Sequence, residues 1–133
     1  MYSVGIIGSL KIAHALKGNF GKESRPHQHR YRFEWSLRAK NLDDQGFAAD
    51  IARMEAIRDR LIKRMNGIYL NDVAFFEGIQ PSLENFATFF LQELLKEFSS
   101  TGPVSQGIYK STIQVWESHT AWASYEQDVA GTL

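Results

Sequence analysis

Four histidines and two glutamates carry most of the chemistry this chain could perform. His27-Gln28-His29 has the i, i+2 spacing that places two side chains on one face of a strand, about 6.6 Å apart along the backbone. Two imidazoles at that separation can share one zinc ion at about 2.0–2.1 Å. His14 offers a third nitrogen, because it ends an earlier segment on that segment's apolar phase. Each of the three shares parity with the buried residues of its own strand, so all three turn toward the interior near adjoining strand ends. A buried protonated imidazole is costly, whereas a neutral one on a metal is stable there. Three histidines leave one coordination position open for water or substrate, the catalytic rather than the structural arrangement. An isolated H-x-H also occurs in ordinary strands, and a bulge in the first strand would turn His14 outward.

Glu117 ends another alternating segment on its apolar phase, which predicts a partly buried carboxylate. Such a group must pair with a donor or take up a proton. At a pocket floor it can accept two parallel N–H donors from the edge of a guanidine-like heterocycle; otherwise it is a strand-end residue reaching solvent. Glu23 precedes His27 by four residues in a Gly/Lys/Ser/Pro loop, where it can serve as a general base beside a metal or remain simply solvated. His119 shares the phase of Glu117 and is the remaining imidazole for proton transfer, or an ordinary turn residue. Lys22, Arg25 and Arg30 could meet phosphate groups, although their spacing equally describes a solvated face.

The elements that must position these groups are legible in the hydrophobic pattern. Across His29–Lys40, His29, Tyr31, Phe33, Trp35, Leu37 and Ala39 alternate with polar residues, which predicts a long strand with one buried face. Val4, Ile6, Gly8, Leu10 and Ile12 share a phase that runs to His14, with Ile7 out of phase. A third strand is expected over Ile108–Glu117, with Tyr109, Ile113 and Val115 facing the same way as Glu117, and a short fourth over Ala121–Glu126. Between the pairs, Ile51, Met54, Ile57, Leu61 and Met65 mark a helix from Asp50 to Met65, capped by Asp50. A second helix runs from Pro81-Ser82 to about Phe98, with Leu83, Phe86, Ala87, Phe90, Leu91, Leu94 and Leu95 as its stripe and Ser82 as its cap. Glu84 suits its positive end, and Ser99–Pro103 stops it. The order β-β-α-α-β-β predicts an α+β fold, a four-stranded antiparallel sheet with both helices on one face. Its open edges make oligomerisation by strand pairing plausible.

At 133 residues the chain is expected to form one domain, residues 1–133, with a sizeable core. Hydrophobic residues at 44% and charged residues at 23% exclude disordered and low-complexity classes. Lys+Arg and Asp+Glu are both 15, so no basic excess points to nucleic acid. The absence of Cys excludes disulfides, thiolate metal sites and a cysteine nucleophile. Ala13-His14-Ala15 mimics a signal cleavage site, yet a basic n-region is lacking and Lys11 interrupts the apolar run. No stretch approaches a membrane span of about 18 apolar residues. The sequence therefore reads as a soluble, cytoplasmic protein with no membrane or nucleic-acid partner.

Taken in order, several short segments resemble the 6-pyruvoyltetrahydropterin synthase / 6-carboxytetrahydropterin synthase family. They are Leu10–His14, His27–Tyr31, Gly46–Asp50, Tyr69–Asp72, Pro81–Ala87 and Val115–Ser118. The resemblance implies the tunnelling fold, zinc (Zn2+) on His14, His27 and His29, and a pterin ring anchored by Glu117. It implies trimers whose sheets join into a barrel, often paired into hexamers, with active sites between subunits. The implied reaction is a lyase step on the side chain of 7,8-dihydroneopterin triphosphate or a close relative, in which zinc lowers the pKa of the side-chain hydroxyls and a base removes a proton. The chain departs from the family at three places. Glu23 stands where the catalytic Cys is usual, as in a branch that cleaves the side chain to 6-hydroxymethyl-dihydropterin. Asn66-Gly67 stands where an Asp-His pair supports proton transfer, and Gln28 replaces the Gly between the metal histidines. The expected catalytic residues are therefore Glu23 and His119. The alternative is a degenerate member that binds metal and a pterin- or purine-like ligand without the usual synthase turnover.

Overall fold

Alternation along the chain becomes a four-stranded antiparallel sheet in the computed structural model, which describes residues 1–104 and 107–129. The strands are β1 (Tyr2–His14), β2 (His27–Ala39), β3 (Ile108–Trp116) and β4 (Trp122–Asp128), in spatial order β1-β2-β3-β4. Between β2 and β3 lie α1 (Ile51–Met65) and α2 (Leu83–Ser100), both packed on one face of the sheet.

β2 holds the core together. Tyr31, Phe33, Trp35 and Leu37 are fully buried, while Gln28, Arg30, Arg32 and Lys40 on the other parity stay exposed. From α2, Phe86 meets Tyr31 at 5.0 Å and Phe90 meets Phe33 at 4.8 Å between ring centroids. Each such buried ring contributes about 1.5–3 kcal/mol through lost water contact. Gly8 is required by this packing, because a Cβ there would lie 2.6 Å from the Phe33 ring. The buried Trp35 indole N–H is satisfied by Ser111 Oγ at 3.0 Å, and that hydroxyl in turn donates to the Ser36 carbonyl.

Both expected caps form. The Asp50 carboxylate accepts from the Arg53 amide at 3.2 Å, and Ser82 Oγ accepts from the Asn85 amide at 3.1 Å. Helix α2 outruns its expected end by two residues, because the Ser99 and Ser100 hydroxyls donate to carbonyls within the last turn. It also buries Phe89 and Phe98 beyond the expected stripe. Ile51 departs from expectation. As the first residue of α1 it lies beyond the sheet's cover and is 49% exposed.

Two strand boundaries shift in ways that matter. β2 starts at His27 rather than His29, so the whole H-x-H lies inside the sheet. In β3 a bulge lets Arg38 pair with Lys110 and Ala39 with Ile108, leaving Tyr109 as the extra residue. The expected inward phase of Tyr109 is therefore wrong, and Ile108 takes its place in the core. Among the described residues, no helix is long and apolar enough to cross a membrane.

Candidate metal centre

The register of β1 and β2 brings the three imidazoles together. His14 is the direct cross-strand partner of His27, and His29 lies two residues further along the same face of β2. The ring centroids are 4.5 Å (His14–His27), 4.8 Å (His27–His29) and 5.3 Å (His14–His29) apart. His14 is buried, and His27 and His29 are half-buried.

The hydrogen bonds around these rings decide which nitrogen is free. His14 Nδ1 donates to the Pro81 carbonyl at 2.6 Å, and His27 Nδ1 donates to the Arg25 carbonyl at 2.7 Å. With Nδ1 carrying the proton, each neutral ring presents a bare Nε2 lone pair. All three Nε2 atoms, on His14, His27 and His29, are buried without a hydrogen-bond partner among the described residues. Burial is the largest influence on His14 and holds its pKa below the ordinary value; the neighbouring His27 and His29 push the same way, against the Pro81 carbonyl. Three convergent unpaired nitrogens would be unfavourable on their own. They are what a metal requires.

Glu23 joins them from a 3₁₀ turn, Gly21–Ser24. The turn is closed by the Leu16 amide donating to the Glu23 carbonyl at 2.7 Å, and by Ser24 Oγ, which accepts from the Phe20 amide and donates to the Gly18 carbonyl. Glu23 Oε2 lies 3.1 Å from His27 Nε2 without the alignment of a hydrogen bond, so two lone-pair-bearing atoms face one point. The ligating atoms of His14, Glu23, His27 and His29 all lie within 4.8 Å of one another. Nitrogen–metal bonds of about 2.0–2.1 Å in a tetrahedral site put ligand atoms roughly 3.4 Å apart, within easy reach of this set. The donor set fits a metal ion.

The chain just after His14 is held by side chains that periodicity could not reveal. Asn71 bonds both the amide and the carbonyl of Ala15 at 2.9 Å, and Gln80 does the same for Lys17 at 2.6 and 3.0 Å. Asn66-Gly67 belongs to the same scaffold. The Asn66 Oδ1 accepts from the Lys11 amide and the Gly67 amide donates to the Lys11 carbonyl, both at 2.7 Å. This dipeptide is thus a backbone clip on β1.

The other expected site residues are placed differently. β3 ends at Trp116, so Glu117 and His119 lie in the turn before β4 and are exposed. The partial burial expected for Glu117 is not found, because strand parity stops applying once the strand has ended. Glu117 nevertheless lines a cavity of about 630 Å³ together with His14, Glu23, Ser82, Leu83 and Trp122. His119 does not line it. It borders a second cavity with Arg30 and Arg32, and Glu117 lies on the rim of both. One residue that sequence reasoning passed over is Tyr31, whose fully buried hydroxyl also lacks a partner and whose ring stacks on His29 at 5.8 Å. Its parity with His27 and His29 was the available signal.

A four-stranded antiparallel sheet carrying two helices on one face, with a histidine tripod at the β1–β2 end, is the tunnelling fold. Solved structures agree. A Plasmodium falciparum 6-pyruvoyl tetrahydropterin synthase superposes with a TM-score of 0.78 at 17% identity, covering 96% of this chain and 98% of that one. The Caenorhabditis elegans enzyme gives 0.75 at 22% identity, covering 95% of each chain. A Plasmodium vivax 6-pyruvoyltetrahydropterin synthase bearing a catalytic-residue mutation, glutamate to alanine, gives 0.74 at 14% identity, covering 97% of this chain and all of that one. No match is found among curated proteins. The family model for 6-pyruvoyl tetrahydropterin synthase matches residues 6–128, and the chain belongs to that family. Membership supports a lyase of pterin metabolism.

Proposed function

We propose that this protein is a zinc-dependent lyase acting on the side chain of 7,8-dihydroneopterin triphosphate or a close relative. The observation that carries the reading is the convergence of three buried, unpartnered Nε2 atoms beside the Glu23 carboxylate. In this reading His14, His27 and His29 hold zinc. When bound, zinc would supply a Lewis acid that makes a substrate hydroxyl easier to deprotonate.

The protein's own residues do the rest. Glu23 takes the proton as general base, its side chain about half exposed and free to reach into the cavity. A fold neighbour whose catalytic residue is a glutamate supports a carboxylate in that role. Glu117, across the same cavity, accepts paired N–H donors from the pterin ring edge and orients the side chain toward Glu23. His119 lines the neighbouring cavity and not the one that holds Glu23, so the proton-return role expected for it is left out of this reading. Trp122 lines the cavity yet is 55% exposed, and among the described residues β4 and the part of β1 before Lys11 are edges without a neighbouring strand. Both features favour a site completed by a second copy, in a trimer or hexamer. A cytoplasmic setting suits such a metabolic enzyme.

A second reading is a binding protein that keeps the metal and ring pocket without turnover. It is favoured by Asn66-Gly67, whose polar groups are engaged with the β1 backbone and cannot relay a proton. Incubating the zinc-loaded protein with dihydroneopterin triphosphate and following products by mass separates the two. Conversion is expected, with a rate loss of about a hundredfold or more in Glu23→Gln and zinc content unchanged. Binding of the substrate without conversion would establish the second reading.

A further inference from the structure

Three histidines fill three positions around a metal ion and leave the fourth to another donor. Glu23 Oε2 lies 3.1 Å from His27 Nε2, close to the roughly 3.4 Å edge of a tetrahedral site. That nitrogen is bare, because the ring's proton is on Nδ1 and is donated to the Arg25 carbonyl. A carboxylate oxygen facing a lone pair at this distance is repelled unless a cation lies between them. The protein supplies none from its own side chains. Lys22 and Arg25 flank Glu23 in sequence, yet among the described residues neither pairs with it.

The backbone aims this side chain. The Glu23 carbonyl accepts from the Leu16 amide at 2.7 Å, two residues beyond His14, so the turn is fastened beside the strand that carries the first imidazole. Lys17 is fixed by Gln80, and Ser24 Oγ closes the turn on Phe20 and Gly18. The turn Gly21–Ser24 nevertheless buries none of its residues, so apolar packing adds nothing to its order. Charge favours the same arrangement. Three neutral imidazoles leave the double charge of a zinc ion intact, and one carboxylate offsets half of it in a partly buried site.

We propose that Glu23 is the fourth metal ligand of the protein at rest, latching residues 17–26 onto the histidine tripod, and that it yields this position to an incoming substrate hydroxyl. Once released, its carboxylate stays beside that hydroxyl and accepts the proton, so ligand and base are successive roles of one side chain. The first role rests only on the tripod, and the second rests on the lyase reading above. A closed set of four ligands also keeps solvent off the ion until substrate arrives.

The experiment needs no turnover. Zinc affinity is measured by competition with a chelator on the full chain, alongside limited trypsin digestion with and without zinc. Glu23→Ala is expected to weaken zinc binding about tenfold or more, a loss that excess zinc masks. Glu84→Gln removes an exposed carboxylate from the wall of the same cavity, and is expected to change affinity less than about twofold because it removes field and not a ligand. Zinc is expected to slow cleavage after Lys22 about fivefold or more in the wild type, and less than about twofold in Glu23→Ala. Equal zinc affinity in the wild type and Glu23→Ala, or equal protection of Lys22 in both, overturns the proposal and leaves the tripod and the lyase reading standing. Weakened affinity and lost protection in Glu23→Ala, with the wild type failing to convert substrate, supports the latch and rejects the lyase reading alone. A wild type that binds no zinc overturns both.

Discussion

Opposite ends of this sheet each place polar side chains beside a cavity, and they treat them in opposite ways. At the α1–α2 end, Arg53 borders a cavity of about 760 Å³ lined by Asp43, Phe47, Phe98 and Val104. Its guanidinium donates to the carbonyls of Phe98, Gly102 (2.8 Å) and Pro103 (2.5 Å) and to Thr101 Oγ1, and lies 4.2 Å from the Phe98 ring centroid. Its charge is consumed in tying the end of α2 to the start of α1. At the β1–β2 end the cavity is smaller, at about 630 Å³, yet three imidazole nitrogens and one phenol are buried with no partner. The larger hollow has its guanidinium paired with the fold, and the smaller one lies beside lone pairs left unpaired among the described residues. What separates them is whether hydrogen-bonding capacity is already spent, not how much space is enclosed.

The largest way to break that contrast is at the tripod. Removing one ligand by His29→Ala should lower metal affinity about a thousandfold, which is roughly 4 kcal/mol at 1.4 kcal/mol per decade, while the metal-free protein loses far less stability. Metal titration followed by thermal unfolding with and without the ion checks both halves, and retained affinity would remove His29 from the centre. Arg53→Met should do the reverse. The part-buried carbonyls of Phe98 and Gly102 lose their donor, which costs about 1–2 kcal/mol of folding stability by denaturant melts, with metal affinity unchanged within error. The smallest effect sharpens the comparison. Tyr31→Phe deletes an unpartnered buried hydroxyl, so metal-free stability should stay level or rise by about 1 kcal/mol. A loss of more than that would show that the hydroxyl is satisfied in the metal-free protein.

Much of the fold was readable because strands and helices repeat. Parity alone brought His14, His27 and His29 to one face, since β1 and β2 are regular along their shared length. The same reasoning failed at Glu117 and His119, which lie past the end of β3, and at Tyr109, where one inserted residue reversed the phase. The clips made by Asn66, Asn71 and Gln80 were invisible for a different reason. They join residues 55 to 63 positions apart through side-chain-to-backbone bonds, and such bonds impose no period on the sequence. The convergence of the three imidazoles was therefore legible, while the scaffold that holds them was not.

The direct pairing of His14 with His27 has a consequence for how the protein is made. Side chains alternate between faces, so a slip of one residue between these two strands would send one imidazole to the far side of the sheet. Only a correctly threaded hairpin can then capture an ion, and the captured ion penalises every misaligned alternative. Inserting a single alanine between Leu10 and His14 would leave composition and hydrophobicity almost untouched and still erase the centre, making metal uptake a readout of strand alignment during folding.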